Sequence, residues 1–208
     1  SVPLAKEGTG QVVVDFTPEP LTQDVSFVFH IEKTADVVVD SLTAEISGIP
    51  STMELTTGLI LAQKTYKLLF RPTYAALPSA ADSASAEALR CEASVNIPGI
   101  VRSHTEDMVT GPGILQIAIY THYDYEEEGT QRKAAKVFHA GINLYHTLKE
   151  RKSLQWDEEE NGYRQASRSI TVEIGSPLNI DKDGILNGGS TSTGLDQWIP
   201  GETFEIEV

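Results

Sequence analysis

Cysteine is almost missing from this chain. Cys91 is the single one in 208 residues, so neither an internal disulfide nor a cysteine-rich zinc site can form. Basic residues are scarce too: 16 Lys and Arg stand against 30 Asp and Glu, for a formal charge of −14. A chain of that sign has no basic face for a phosphate backbone, which excludes nucleic acid as a partner class. It has no electrostatic attraction to anionic lipid either. No apolar run approaches the roughly 20 residues a membrane helix requires. Residues 1–10, SVPLAKEGTG, lack the charged, then apolar, then small order of a secretory leader. The sequence also has no G-x-S-x-G nucleophile elbow and no H-E-x-x-H zinc motif among its 5 histidines.

What remains is ordinary globular composition, 40% hydrophobic and 22% charged, with enough length to bury a substantial core. Period-two alternation dominates. QVVVDF (11–16) and DVSFVFHI (24–31) read as strands separated by a proline-containing loop. DVVVDSLTAEISG (36–48) reads as a third, ended by Gly48 and Pro50, and TYKLLFRPTY (65–74) as a fourth. AALPSAADSASAEAL (75–89) is a small, polar loop pattern. LRCEASVNIPG then resumes the strand pattern, with Cys91 as a small core residue.

The strongest signal covers 113–144. Ile117, Ile119 and Thr121 share one face, and Ala118, Tyr120 and His122 the other. A turn falls at Glu126–Gly129, with Arg132, Lys133 and Lys136 returning opposite the acids. Opposite charges across a hairpin favour that pairing by a few tenths of a kcal/mol. INLYHTLKER (142–151) is the best helical stretch, with Ile142, Tyr145 and Leu148 three apart. WDEEENGYR (156–164) reads as an acidic turn. SITVEIGSP places Ile170, Val172 and Ile174 on one face, and TFEIEV (203–208) places Phe204, Ile206 and Val208 inward. Many strands, frequent turns and at most one or two short helices predict an all-β protein. The expected architecture is a single antiparallel β-sandwich domain spanning 1–208.

NIDKDGILNGGS (179–190) opens like a calcium loop, with Asn179, Asp181 and Asp183 two apart and Gly184 next. Position 12, however, is Ser190, which supplies no bidentate carboxylate, and strand patterns flank the loop where helices should. Asp, Asn and Gly are also the residues of tight turns, and a turn joining the last two strands is the expectation, with no metal or other cofactor. His122 and Asp124 share a strand face and offer a pair that would orient an imidazole. Tyr120, Tyr123 and Tyr125, with Trp156 and Trp198, offer a sugar-stacking surface, but Tyr120 falls on the opposite face from the other two tyrosines. No catalytic residues are expected.

The segment FTPEPLTQDVSFVFHI…SLTAEISGIPSTMELTTG resembles the fimbrillin-like and fimbrial-anchor proteins of Bacteroidales. GILQIAIYTHYDY and the Gly-rich stretch before QWIPGETFEIEV follow the same plan. The resemblance implies a transthyretin-like, Greek-key sandwich, and a C-terminal domain of a longer surface protein whose lipid-bearing Cys and first β-domain precede Ser1. It implies a non-enzymatic fimbrial or pilus subunit on the extracellular side of the outer membrane, touching the membrane only through that upstream lipid. Its partners would be other fimbrial subunits, joined by strand addition. The terminal ETFEIEV is the segment most suited to such exchange. The alternative is a cell-surface module that binds glycan or calcium.

Overall fold

The computed structural model describes residues 20–77, 86–101, 112–150, 154–157, 162–165, 168–186 and 198–206. The strand expected over 11–16 lies outside them. The chain runs β1 (Gln23–Thr34), β2 (Val37–Met53), β3 (Ile60–Phe70), β4 (Thr73–Ala76), β5 (Ala86–Ile97), β6 (Ile114–Glu127), β7 (Thr130–Asn143), α1 (Leu144–Glu150), β8 (Leu154–Asp157), β9 (Gly162–Gln165), β10 (Ser169–Glu173), β11 (Leu178–Ile180) and β12 (Ile199–Ile206). These form two sheets, as an all-β sandwich requires. One has the order β10-β1-β5-β4, with β11 also on β1; the other has the order β12-β7-β6-β2-β3-β9-β8. β6 returns beside β2 after two strands in the other sheet, a crossed connection of the Greek-key kind. Pairing is antiparallel except that β10 and β11 run parallel to β1.

The two inner faces make one core. Val25, Phe27, Phe29 and Ile31 alternate inward from β1, and Ile117, Ile119, Phe138 and Ala140 face them from β6 and β7. The β6–β7 hairpin forms as expected, but its turn is shorter, with Glu127 closing onto Thr130. Of the three bases only Lys133 stands directly opposite an acid, Asp124, while Arg132 faces Tyr125 and Lys136 faces Thr121. The two loop residues, Glu128 and Gly129, have φ of 52° and 77°, the signature of a type I′ turn, and the glycine takes the second position at no steric cost. Arg132 pairs with Glu127 at 3.0 Å across it.

β2 departs from simple alternation. Val37 and Val39 point inward, a bulge intervenes before Ser41, and the inward set becomes Leu42, Ala44 and Ile46. A second irregularity between Ile46 and Ile49 carries the strand on to Met53, so Gly48 and Pro50 do not end it. Pro50 is tolerated because the ladder to β6 stops at Ile46, leaving β2 with only β3 beside it there. The expected strand over 65–74 divides at Arg71–Pro72: β3 belongs to one sheet and β4 to the other. Tyr74 of β4 then ties the layers together, its hydroxyl lying 3.0 Å from Val39 O and 3.1 Å from Asp40 O at the β2 bulge.

α1 covers 144–150 of the helical stretch expected over 142–151, Ile142 and Asn143 ending β7 instead. Asn143 caps it, its side-chain oxygen accepting from His146 N at 3.0 Å, and Leu144, Tyr145 and Leu148 face the core. The flanks of the acidic stretch 156–164 pair, β8 with β9 from Leu154↔Gln165 to Asp157↔Gly162, while residues 158–161, where the acidic turn is expected, lie outside the described residues.

Candidate functional site

The Asn179–Gly184 stretch forms a tight turn, and its carboxylate is already employed. Asp181 Oδ1 accepts from Asp183 N at 2.7 Å and from Gly184 N at 2.8 Å, the local bonding that makes Asp a turn residue. Asp181 N donates to Gly184 O, Leu186 N to Asn179 O, and Ile180 bridges Ile185. The turn folds back on β11 itself and does not join the last two strands. A cation does sit against it: the ammonium of Lys136, from β7, donates to Lys182 O at 2.7 Å. That ammonium also lies 3.3 Å from Glu205 of β12 and 5.6 Å from the centre of the Tyr123 ring. Asp181→Ala removes the acceptor of two amides and should lower stability by about 1–2 kcal/mol. The thermal midpoint of the parent, and of the Asp181→Ala/Asp183→Ala double variant, should be indifferent to millimolar calcium. A parent midpoint that climbs with calcium would contradict the turn assignment, because a ligand bound only to the folded state must stabilise it.

His122 finds a carboxylate, but not that of Asp124. Its Nδ1 lies 2.8 Å from Asp40 Oδ1, while Asp124 pairs in register with Lys133. Asp40 occupies the irregularity between Val39 and Ser41, and only that bulge aims it at β6. The pair is half exposed on the outer sheet face and lies among the lining residues of neither cavity described below. Cys91 is fully buried, and burial pushes its thiol up to about 12. The aromatic residues disperse: Trp198 is buried with its ring edge-on to Phe29 at 5.4 Å, while Tyr123 and Tyr125 sit 6.2 Å apart near the hairpin tip. The side chain of Trp156 lies outside the described residues.

β12 carries two exposed apolar groups at a sheet edge. This strand pairs only with β7, and its opposite edge has no strand partner among the described residues. Phe204 points outward and is 50% exposed, where alternation led to the opposite expectation. Ile199 is also exposed. The register slips between Pro200 and Thr203, and the extra residues Gly201 and Glu202 lie against His139. His139 Nδ1 is 3.0 Å from Glu202 O, its ring meets Phe204 edge-on at 5.5 Å, and a Cβ on Gly201 would come within 2.9 Å of His139 Cβ. Beside them lies an open cavity of about 260 Å³ lined by Gln116, His139, Gly141, Ile199 and Phe204, among others. His139 carried no sequence signal, because its importance comes from a bulge in the neighbouring strand.

No family model matches the chain, and comparison with curated proteins and with solved structures gives no match either.

Proposed function

We propose that this chain is a structural subunit or anchor of a bacterial surface fimbria, joined to its neighbours by strand addition at β12. The observation that carries this reading is the contrast among the sheet edges. Among the described residues the other edge strands, β4, β8, β10 and β11, have 4, 4, 5 and 3 residues, the usual way of blunting an edge. β12 has 8. Pro200 and the bulge protect its first half. From Thr203 to Ile206 it runs in register against β7 with no Lys and no Pro. An incoming strand there gains main-chain ladder bonds for affinity, and the exposed Ile199 and Phe204 select its side chains. The resemblance to fimbrillin-like proteins supports the same assignment, with export and a lipidated upstream segment placing the subunit outside the outer membrane.

Thr203→Cys tests this in cells. Cys91 will not interfere, since a buried neutral thiol is a poor nucleophile at physiological pH. A maleimide–benzophenone reagent, its maleimide on the introduced thiol of the Thr203→Cys chain and its ketone inserting into a partner C–H bond on irradiation of intact cells, should yield a covalent adduct with a second fimbrial subunit. Surface fibres that lack this chain, or fibres that contain it yet never cross-link through position 203, would overturn the reading.

A further inference from the structure

A second site lies on the outer face of the seven-stranded sheet, running across the strands instead of along an edge. The registers align one row over five strands: Leu69 opposite Glu45, Glu45 opposite Gln116, Gln116 opposite Gly141, and Gly141 opposite Ile199. Four inter-strand spacings of about 4.8 Å make that row roughly 19 Å long. Gly141 has no side chain, so the row is low between Gln116 and Ile199, whereas Leu69 is 70% exposed at one end and Ile199 and Phe204 stand exposed at the other. A cavity of about 470 Å³ opens on the β3 side, lined by Glu45, Thr65, Lys67 and Gln116 among others. The cavity beside β12 continues it, and Gln116 lines both. The result is one trough with two lobes.

We infer that this trough binds a neutral oligosaccharide. Its polar groups include both an acceptor and a donor, the Glu45 carboxylate and the Lys67 ammonium 2.6 Å apart, with the Gln116 side chain lining both lobes. Tyr66 in one lobe and Ile199 and Phe204 in the other supply exposed apolar surface. A sugar ring presents that same combination, hydroxyls on its rim and C–H groups on its face. The charges decide against an acidic glycan. The lining residues include two carboxylates, Glu45 and Glu202, against one ammonium already paired with Glu45, in a chain of net charge −14. The ladder decides against an extended peptide. β3, β2, β6 and β7 are paired along this row, so a chain crossing them meets side chains and no spare main-chain groups. A flat protein partner would strip water from the Glu45–Lys67 pair without replacing it, which sugar hydroxyls do. The trough shares Ile199 and Phe204 with the edge proposed for strand addition, but its lobe on β2 and β3 lies away from that edge, so titration of the isolated chain tests it separately.

The test is a titration of the ¹⁵N-labelled chain with four neutral probes: cellohexaose, maltohexaose, mannohexaose and hexa-N-acetylchitohexaose. At least one should shift the Gln116 side-chain amide and the Gly141 backbone amide, saturating with a Kd of about 1 mM or tighter. Gln116→Ala, and separately Glu45→Gln with Lys67→Met, should weaken that probe about 10-fold or more while leaving the thermal midpoint in place. A uronic-acid hexamer should bind about 10-fold more weakly than the best neutral one. The inference is overturned if no probe perturbs the trough at about 10 mM. It is equally overturned if the shifts fall outside the trough, or if Gln116→Ala leaves binding unchanged.

Discussion

Gly48→Ala should cost at least about 3–4 kcal/mol, a loss that leaves a domain of ordinary stability barely folded. Two effects combine. Gly48 has φ +76°, where an L side chain costs about 1–2 kcal/mol. A Cβ at this position would also overlap Gly113 N and lie 2.7 Å from Pro112 Cβ and 2.8 Å from Pro112 Cα. Those neighbours cannot simply retreat. Gly113 N donates to Ser47 O at 3.0 Å, Val101 N donates to Gly48 O at 2.8 Å, and the Ser47 hydroxyl bonds both the N and the O of Ile114. Relaxing the clash therefore breaks the seam where β2 meets the start of β6. Gly129→Ala is the matched control: φ is +77°, but nothing lies within 4 Å of its Cβ, so only the backbone cost of about 1–2 kcal/mol applies. Urea unfolding of both variants checks this, and equal losses at the two positions would sink the crowding account.

Much of the architecture was legible in the sequence wherever one period persisted. β1, β10 and the middle of β6 keep alternation against a single core, and Ile117, Ile119 and Thr121, expected on one face, are inward. α1 was legible because its apolar spacing changes from two to three and four over 142–148. β2 was not, because three register shifts interrupt its alternation and change which parity faces the core. Gly48 and Pro50 then look like terminators to a local reading, although they sit where one ladder ends and a bulge needs positive φ. β8 and β9 were missed for a different reason. A hairpin of two short strands, rich in acids around its turn, carries too few apolar positions to show a period.

The functional surfaces were less legible than the fold. The calcium-like pattern at Asn179, Asp181 and Asp183 pointed correctly to a turn, since the same Asp oxygens that bind metal also bind amides. Choosing β12 as the exchange strand depended on a pattern that put Phe204 inward. The structure keeps the strand at an edge and turns that side chain out. The trough leaves no trace in the sequence at all. It depends on Leu69, Glu45, Gln116, Gly141 and Ile199 meeting in one row, and cross-strand registers over five strands are set by turns, bulges and burial together.

Phe29→Ala should lower unfolding stability by about 3–5 kcal/mol, the cost of emptying a fully buried aromatic site. Its position gives the loss a second consequence. Phe29 belongs to the five-stranded sheet, and the ring it meets edge-on, that of buried Trp198, stands immediately before β12 of the other sheet. The contact therefore ties the core to the root of the proposed exchange strand. In a Trp156→Phe background Trp198 is the only indole, so its emission reports this junction directly. A double-mutant cycle of Phe29→Ala with Trp198→Leu should return a coupling of about 0.5–1.5 kcal/mol, the range for an edge-to-face pair. Additive effects, or a Phe29→Ala loss below about 1.5 kcal/mol, would show that the rings do not support each other. Phe29→Leu, which keeps most of the volume and should cost far less, serves if the alanine variant fails to fold. Hydrogen exchange at the β12 amides then separates two roles for the same contact. If Phe29→Leu raises exchange in β12 far more than in β6, the ring pair anchors the edge strand locally. If both rise together, it stabilises the sandwich as a whole, and β12 opens only when the domain does.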